Sequence, residues 1–385
     1  MYSRLSVPPK DKSFFLFGPR GTGKTTWVRI ALPDALRVDL LEKRTFNELL
    51  ADPQRLEERV PSAFKGWVVI DEIQKIPDLL DEVHRLIEER HLKFALTGSS
   101  ARKLRRSGVN LLGGRALVRA MHPFAAIELG GDFNLDKALR YGLLPTVLTG
   151  GDPEGGLAAY VHTYLEEEIR QEGLTRTLSA FARFLEAASF SQGGVLNVAA
   201  VARECAVERK VVEGYFNILD DLLLAHRIPA FTRRSKRRLL AHPKFYFFDV
   251  GVFRTLRPKG PMDTPEEAEG PAFETLLLQN LLAVNDALSL GYKIHYWRTL
   301  DGREVDFVLY GQRGLLAFEV KRRGRVDRFD AGGLRAFMTD YPMARAFLVY
   351  GGRRRLRFGD IEAWPMMDLL MDLPRLLQSP SVSLL

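Results

Sequence analysis

The chain has a single cysteine, Cys205, in 385 residues, which excludes an internal disulfide and a thiolate metal cluster. It has no run of about 18 apolar residues, so no membrane-spanning helix and no membrane partner are expected. It also lacks an internal repeat and a low-complexity stretch. No apolar leader precedes the first strand, because Met1-Tyr2-Ser3-Arg4 leads quickly into it; a signal peptide is not expected. A reducing, cytoplasmic setting follows as the expectation. Hydrophobic residues at 46% and charged residues at 27% exclude a disordered or fibrous chain, and the length suits two to four domains.

What is abundant is positive charge. The net charge is +8, of which residues 1–180 carry +2 and residues 181–385 carry +6. The excess gathers in Arg233-Arg234-Ser235-Lys236-Arg237-Arg238, Lys321-Arg322-Arg323-Gly324-Arg325 and Arg353-Arg354-Arg355-Leu356-Arg357. One such cluster is ordinary solvated surface; three in one half suit a polyanion, with DNA as the expected partner.

Short apolar runs alternate with helical patterns through the first 120 or so residues. Strands are expected at Ser13–Phe17, Leu36–Leu40, Trp67–Ile70, Lys93–Leu96 and Ala116–Met121, with helices at Lys24–Leu32 and Pro77–Arg90. That alternation predicts a parallel sheet covered on both faces. From Pro123 to about Thr175 the pattern is mostly helical. Helices at Leu178–Ser189, Val198–Cys205 and Val207–Leu224, then strands at Ala225–Phe231 and Lys244–Phe248, outline a winged helix. A packing module is the plainer alternative. Arg257–Glu269 reads as a surface linker, and Ala272 onwards as a separate α/β block.

Gly18-Pro19-Arg20-Gly21-Thr22-Gly23-Lys24-Thr25 fits the phosphate-loop pattern G-x-x-x-x-G-K-[ST] between a strand and a helix. Glycines let backbone N–H groups turn inward as an anion nest, and the helix N-terminus adds its dipole. Gly18 through Thr26 would bind ATP, with Lys24 on the β- and γ-phosphates. The Thr25 hydroxyl and Asp71, at the end of Val68-Val69-Ile70-Asp71-Glu72, would hold Mg²⁺. Glu72 is placed to activate water. Thr97, with Ser99 second, sits at the tip of the next strand and can touch the γ-phosphate or the lytic water. Arg115, just before the fifth strand, can act as an arginine finger across a subunit boundary.

This order resembles the AAA+ ATPases. More narrowly, it resembles a prokaryotic family of AAA+ ATP-binding proteins whose C-terminal half is domain of unknown function 4143. The residues that carry the likeness are Leu96-Thr97-Gly98-Ser99-Ser100, Gly114-Arg115, His122-Pro123-Phe124, Tyr141-Gly142-Leu143-Leu144-Pro145 and Phe248-Asp249-Val250-Gly251. Leu143 departs from it, since a second glycine is commoner there. The resemblance implies an AAA+ P-loop sheet at 1–122, a helical lid at 123–175, a winged-helix module at 176–256 and a restriction-endonuclease-like α/β domain at 257–385. It also implies self-association, with a homo-oligomeric ring such as a hexamer.

In the last domain, Glu319-x-Lys321 alternates onto one strand face, Asp306 lies on the neighbouring strand and Glu274 on the preceding helix. Glu274, Asp306 and Glu319 would ligate Mg²⁺ beside the Lys321 ammonium. The set resembles the PD-(D/E)XK nucleases. Three readings stay open: cross-strand charge pairs, a nuclease fold kept for binding or assembly, and active cleavage. For the whole chain the expectation is an ATPase acting on DNA. The alternatives are an ATP-gated regulatory assembly switch with an inactive nuclease fold, and a small-molecule P-loop kinase, against which the Asp71-Glu72 pair argues.

Overall fold

The computed structural model describes residues 2–100, 102, 104, 112–165, 178–233, 242–258, 260 and 264–379. The described residues form two compact units. The first holds Arg4–His122 with Asp221–Leu224, and the second holds Pro123–Asp220 and the chain from Ala225, with the residues up to Ser3.

The first unit is built on five parallel strands: β1 (Ser13–Phe17), β2 (Leu36–Asp39), β3 (Trp67–Asp71), β4 (Lys93–Gly98) and β5 (Ala116–Ala120). Their spatial order is β2-β3-β4-β1-β5. All five residues of β1 are buried, because the sheet is covered on both sides. Phe14 and Leu16 pack with Trp27 and Val28 of the helix Lys24–Ala31 on one face. Phe15 and Phe17 pack with Leu79, Leu80, Val83 and Leu86 of the helix Leu79–Arg90 on the other. Alternation along β1 therefore divides two hydrophobic cores. The parallel direction of the strands brings the C-terminal ends of β1, β3 and β4 to one edge, where the polar residues collect.

The second unit begins with short helices, then the helices Leu178–Ser189, Val198–Glu204 and Arg209–Asp221. A two-stranded antiparallel pair follows, β6 (Ala225–Ile228) with β7 (Lys244–Phe247), and then the helix Val250–Leu256. The expected linker Arg257–Glu269 is partly helix: a 23-residue helix starts at Pro265 and runs through Pro271 to Ala287. Pro265 at the first helical position explains the early start, since it gives up no intrahelical bond there. A six-stranded mixed sheet comes next: β8 (Lys293–Arg298), β9 (Glu304–Gly311), β10 (Gly314–Lys321), β11 (Arg345–Tyr350), β12 (Leu356–Phe358) and β13 (Ile361–Pro365). β9 runs antiparallel to β10 with Phe307 opposite Phe318, so the next residues along, Asp306 and Glu319, share a face. A core of Trp297, Val305, Val308, Leu315, Leu334 and Phe337 fixes this register.

Among the described residues, no helix is long and apolar enough to cross a membrane. Cys205 is a buried free thiol.

Candidate active site

The phosphate loop follows β1 directly. Gly21 and Gly23 take φ of +81° and +86°, a region that side-chain-bearing residues avoid, and so turn the loop inward. Gly18 is held by space: a Cβ there would lie 2.2 Å from the Met121 carbonyl oxygen. The Thr22 hydroxyl donates to the Pro19 carbonyl at 2.8 Å. Lys24 is buried, and its Nζ donates to the Gly18 and Pro19 carbonyls at 2.6 and 3.1 Å. These bonds stiffen the loop around its own cation. Arg20, Thr25 and Thr26 are exposed, and Pro19 is buried.

Across the strand edge, Thr25 Oγ1 donates to Asp71 Oδ2 at 2.8 Å. The other carboxylate oxygen of Asp71 accepts from the Thr97 hydroxyl. Thr25, Asp71 and Thr97 therefore meet, although they come from a helix and two different strands. A hydroxyl and a carboxylate in contact are hard oxygen donors, the type that Mg²⁺ beside a nucleotide takes.

Glu72 has φ of +61°, a left-handed backbone uncommon outside glycine and costing about 1–2 kcal/mol. Gln74 Nε2 donates to the Glu72 carboxylate and, at 3.3 Å, to Ser99 Oγ. Gln74 is buried, and its Oε1 has no hydrogen-bond partner. Sequence reasoning missed this residue. The signal was a polar side chain three positions after Asp71, in a turn otherwise lined by Ile73 and Ile76.

Arg115 is not gathered with these groups. It is exposed, and its guanidinium pairs with Glu88 of the same unit. That hydrogen-bonded pair holds the Glu88 carboxyl below its usual range.

In the second unit, Glu274, Asp306, Glu319 and Lys321 do come together, lining a cavity of about 630 Å³. Glu319 Oε1 pairs with Lys321 Nζ at 3.0 Å, while its Oε2 is buried without a partner. Asp306 Oδ2 accepts from the Val320 N–H at 2.8 Å. Burial, opposed by Lys321 and reinforced by Asp306, pushes the Glu319 carboxyl up to about 7. Burial with the neighbouring Asp306 charge pushes Glu274 up to about 8.

The group at the centre was not foreseen. Lys244, at the start of β7, reaches Asp306 Oδ1 at 3.0 Å and Glu274 Oε2 at 3.9 Å, and pairs closely with Glu304. Its side chain is 3% exposed. Burial alone would lower its pKa; Tyr246, Asp306, Glu274 and Glu304 outweigh that and hold it well above the usual lysine value. Glu274 also accepts from the Tyr246 hydroxyl at 2.8 Å. Among the described residues no group of three or more His, Cys, Asp or Glu is arranged to hold a metal ion. Of the expected set, Asp306 and Glu274 face the Lys244 ammonium, and Glu319 pairs with Lys321. Both oxygens of Asp306 are engaged while Glu319 Oε2 is not, so with Lys244 in place the set offers a divalent metal few free oxygens. The signal was a lysine heading the apolar strand Lys-Phe-Tyr-Phe, which needs a buried partner.

The basic clusters are paired in part where they are described. Arg322 and Arg323 pair with Glu269 and Asp330. Arg355 lies 3.2 Å from Asp368 and over the Trp364 ring. Arg353, Arg354 and Arg357 are exposed. Arg233 stacks on Tyr310, while Arg234, Lys236, Arg237 and Arg238 lie outside the described residues.

Comparison with known proteins divides the chain in the same sequence order. Residues 10–130 match an AAA domain, and residues 269–369 match domain of unknown function 4143. The chain pairs an AAA domain with a C-terminal domain of unknown function 4143. Between them, residues 132–263 match a further domain of unknown function, 8612. The AAA match over residues 10–130 suggests nucleotide binding and ATPase activity for that part of the chain. Two similar relatives are an uncharacterized protein of Mycobacterium bovis and one of Mycobacterium tuberculosis. Each is 26% identical over 352 residues, covering 90% of this chain and 78% of the relative. A crystal structure of protein VC1899 from Vibrio cholerae aligns with 15% identity, 89% of this chain and 97% of the other, at a TM-score of 0.22.

Proposed function

We propose that this AAA protein hydrolyses ATP with Mg²⁺ and uses the cycle to act on DNA, by remodelling or translocation. The observation that carries the hydrolytic half is the contact of Thr25 with Asp71, beside Glu72 in a strained backbone. Lys24 binds the β- and γ-phosphates, Thr25 and Asp71 hold Mg²⁺, Glu72 activates water and Thr97 senses the γ-phosphate through Asp71. Mg²⁺ supplies charge neutralisation at the phosphates; the protein positions and deprotonates. Arg115, exposed on the first unit, is the finger offered to a neighbouring subunit of a homo-oligomeric ring.

The DNA half of the proposal is supported by the +6 charge of residues 181–385 and by the exposed Arg353, Arg354 and Arg357. Residues 176–256 act as a winged-helix module and residues 257–385 as a nuclease-like domain that engages the phosphate backbone. The test is the ATPase rate of the purified chain alone and with single-stranded, duplex and branched DNA. Stimulation of several-fold by one form is expected; an unchanged rate with all three sinks the DNA reading.

A second reading, an ATP-gated regulatory switch with an inactive nuclease fold, has its own support in Lys244. It predicts that no DNA form is cut in Mn²⁺ or Mg²⁺, with or without ATP.

A further inference from the structure

We propose that the ammonium of Lys244 is the resident cation of the C-terminal carboxylate cluster. The site then takes no divalent metal and works as an internal ionic lock between β7 and β9. This deepens the second reading above and rests on it only for the statement that no phosphodiester is cut.

Five carboxylates, Glu274, Glu304, Asp306, Glu319 and Asp330, line one cavity; Lys321 pairs with Glu319, Arg298 with Glu304 and Arg323 with Asp330, which leaves Glu274 and Asp306 to take up protons or a cation. Lys244 already supplies the cation. It touches Glu304 and Asp306 directly and lies 3.9 Å from Glu274. The second oxygen of Asp306 is bound by the Val320 N–H, and Glu274 by the Tyr246 hydroxyl. A magnesium ion needs several oxygens free to close to about 2.1 Å; both oxygens of Asp306, the central acid, are taken, while Glu319 Oε2 is buried without a partner.

Nor can Lys244 swing away easily. All four residues of β7 are buried. The Lys244 backbone is paired with Ile228 and bridges to Val195. Withdrawing the side chain would leave the buried Asp306 carboxylate without its cation, the costly case for an ion pair. The lock also ties a strand before residue 263 to a domain matched only from residue 269, so the two matched regions share one ionic core.

Removing the ammonium should turn the cluster into a metal site. The experiment titrates Mn²⁺ into the full-length chain without nucleotide and reads free Mn²⁺ by electron paramagnetic resonance. An Asp71→Asn background removes the phosphate-loop carboxylate. The chain with Lys244 intact should bind no Mn²⁺ that Asp306→Asn abolishes. Lys244→Ala, or Lys244→Met to keep the stem, should bind one Mn²⁺ at least tenfold tighter than the parent, and lose it when Asp306→Asn is added. An Asp306-dependent Mn²⁺ site in the chain with Lys244 intact overturns the proposal. So does a folded Lys244 variant that takes up none. If neither Lys244 variant folds, the comparison of the intact chain with Asp306→Asn still decides. DNA-stimulated ATPase, measured without the Asp71 change, is a separate readout and can fail or succeed independently.

Discussion

At the scale of single residues, the first unit concentrates its chemistry where three strand ends meet. Glu72 is held in a left-handed backbone and bonded by Gln74, so its carboxylate has a fixed direction. Glu72→Gln keeps the shape and loses the proton acceptor. Turnover should fall by roughly 10² or more while ATP affinity is retained, measured by steady-state hydrolysis beside nucleotide titration. Normal turnover would move the base elsewhere. Arg115→Ala should likewise spare nucleotide binding and remove hydrolysis, and mixing it with Lys24→Ala chains should restore part of the activity. Strictly proportional dilution with no rescue would argue against a shared site. The glycines, Lys24, Thr25, Asp71 and Glu72 were legible in the sequence because each is dictated by local backbone and phosphate chemistry. Gln74 and Lys244 were not, because Ser99 and Asp306, to which they bond, lie 25 and 62 residues away and only the fold brings them close.

At the scale of elements, two sequence runs that looked unrelated form one joint. Asp249 caps the helix Val250–Leu256 by accepting from the Gly251 and Val252 N–H groups, and accepts from the Leu143 N–H and Gln279 Nε2 on its other oxygen. Gly142, at φ +72°, leaves the space: a Cβ there would meet Asp249 Oδ1 at 2.0 Å. Asp249→Asn turns one acceptor into a donor facing N–H groups, and should destabilise by about 2–4 kcal/mol, read as a lowered melting temperature. Burial pushes the Asp249 carboxyl up to about 6. With Glu319 at about 7 and Glu274 at about 8, the folded unit holds more protons than the unfolded chain. Stability from these groups is full below about pH 4 and is lost as pH rises through about 8. The urea midpoint should therefore fall between about pH 5.5 and 8.5, and fall less in Glu274→Gln; a flat profile would contradict the burial of these acids. Strands β1, β3 and β4 of the first sheet were readable nearly to the residue, since their mostly buried runs end at glycine or acid. The helix Met366–Gln378 was not: it starts after Pro365 with no side-chain cap and contains Pro374, which together conceal its periodicity.

At the scale of the whole molecule, charge is the property that sequence and structure treat differently. The sequence shows three basic runs in the C-terminal half. The structure pairs Arg322, Arg323 and Arg355 with acids and leaves Arg353, Arg354 and Arg357 exposed. An arginine already paired with a carboxylate has less to gain from a phosphate, because binding must first break the internal pair. If DNA is the partner, the exposed trio should therefore outweigh the paired residues. Removing one arginine–phosphate interaction on duplex DNA should flatten the slope of log K against log salt by about 0.9. Replacing Arg353, Arg354 and Arg357 with glutamine should reduce the slope by up to about 2.7, whereas Arg322→Gln with Arg323→Gln should change it by less than about 1. The measurement is fluorescence anisotropy of a labelled duplex across a salt series. Equal slopes for the trio variant and the parent would place the DNA surface elsewhere. A larger change from the paired residues would mean that binding opens their ion pairs, and that the second unit rearranges when it meets DNA.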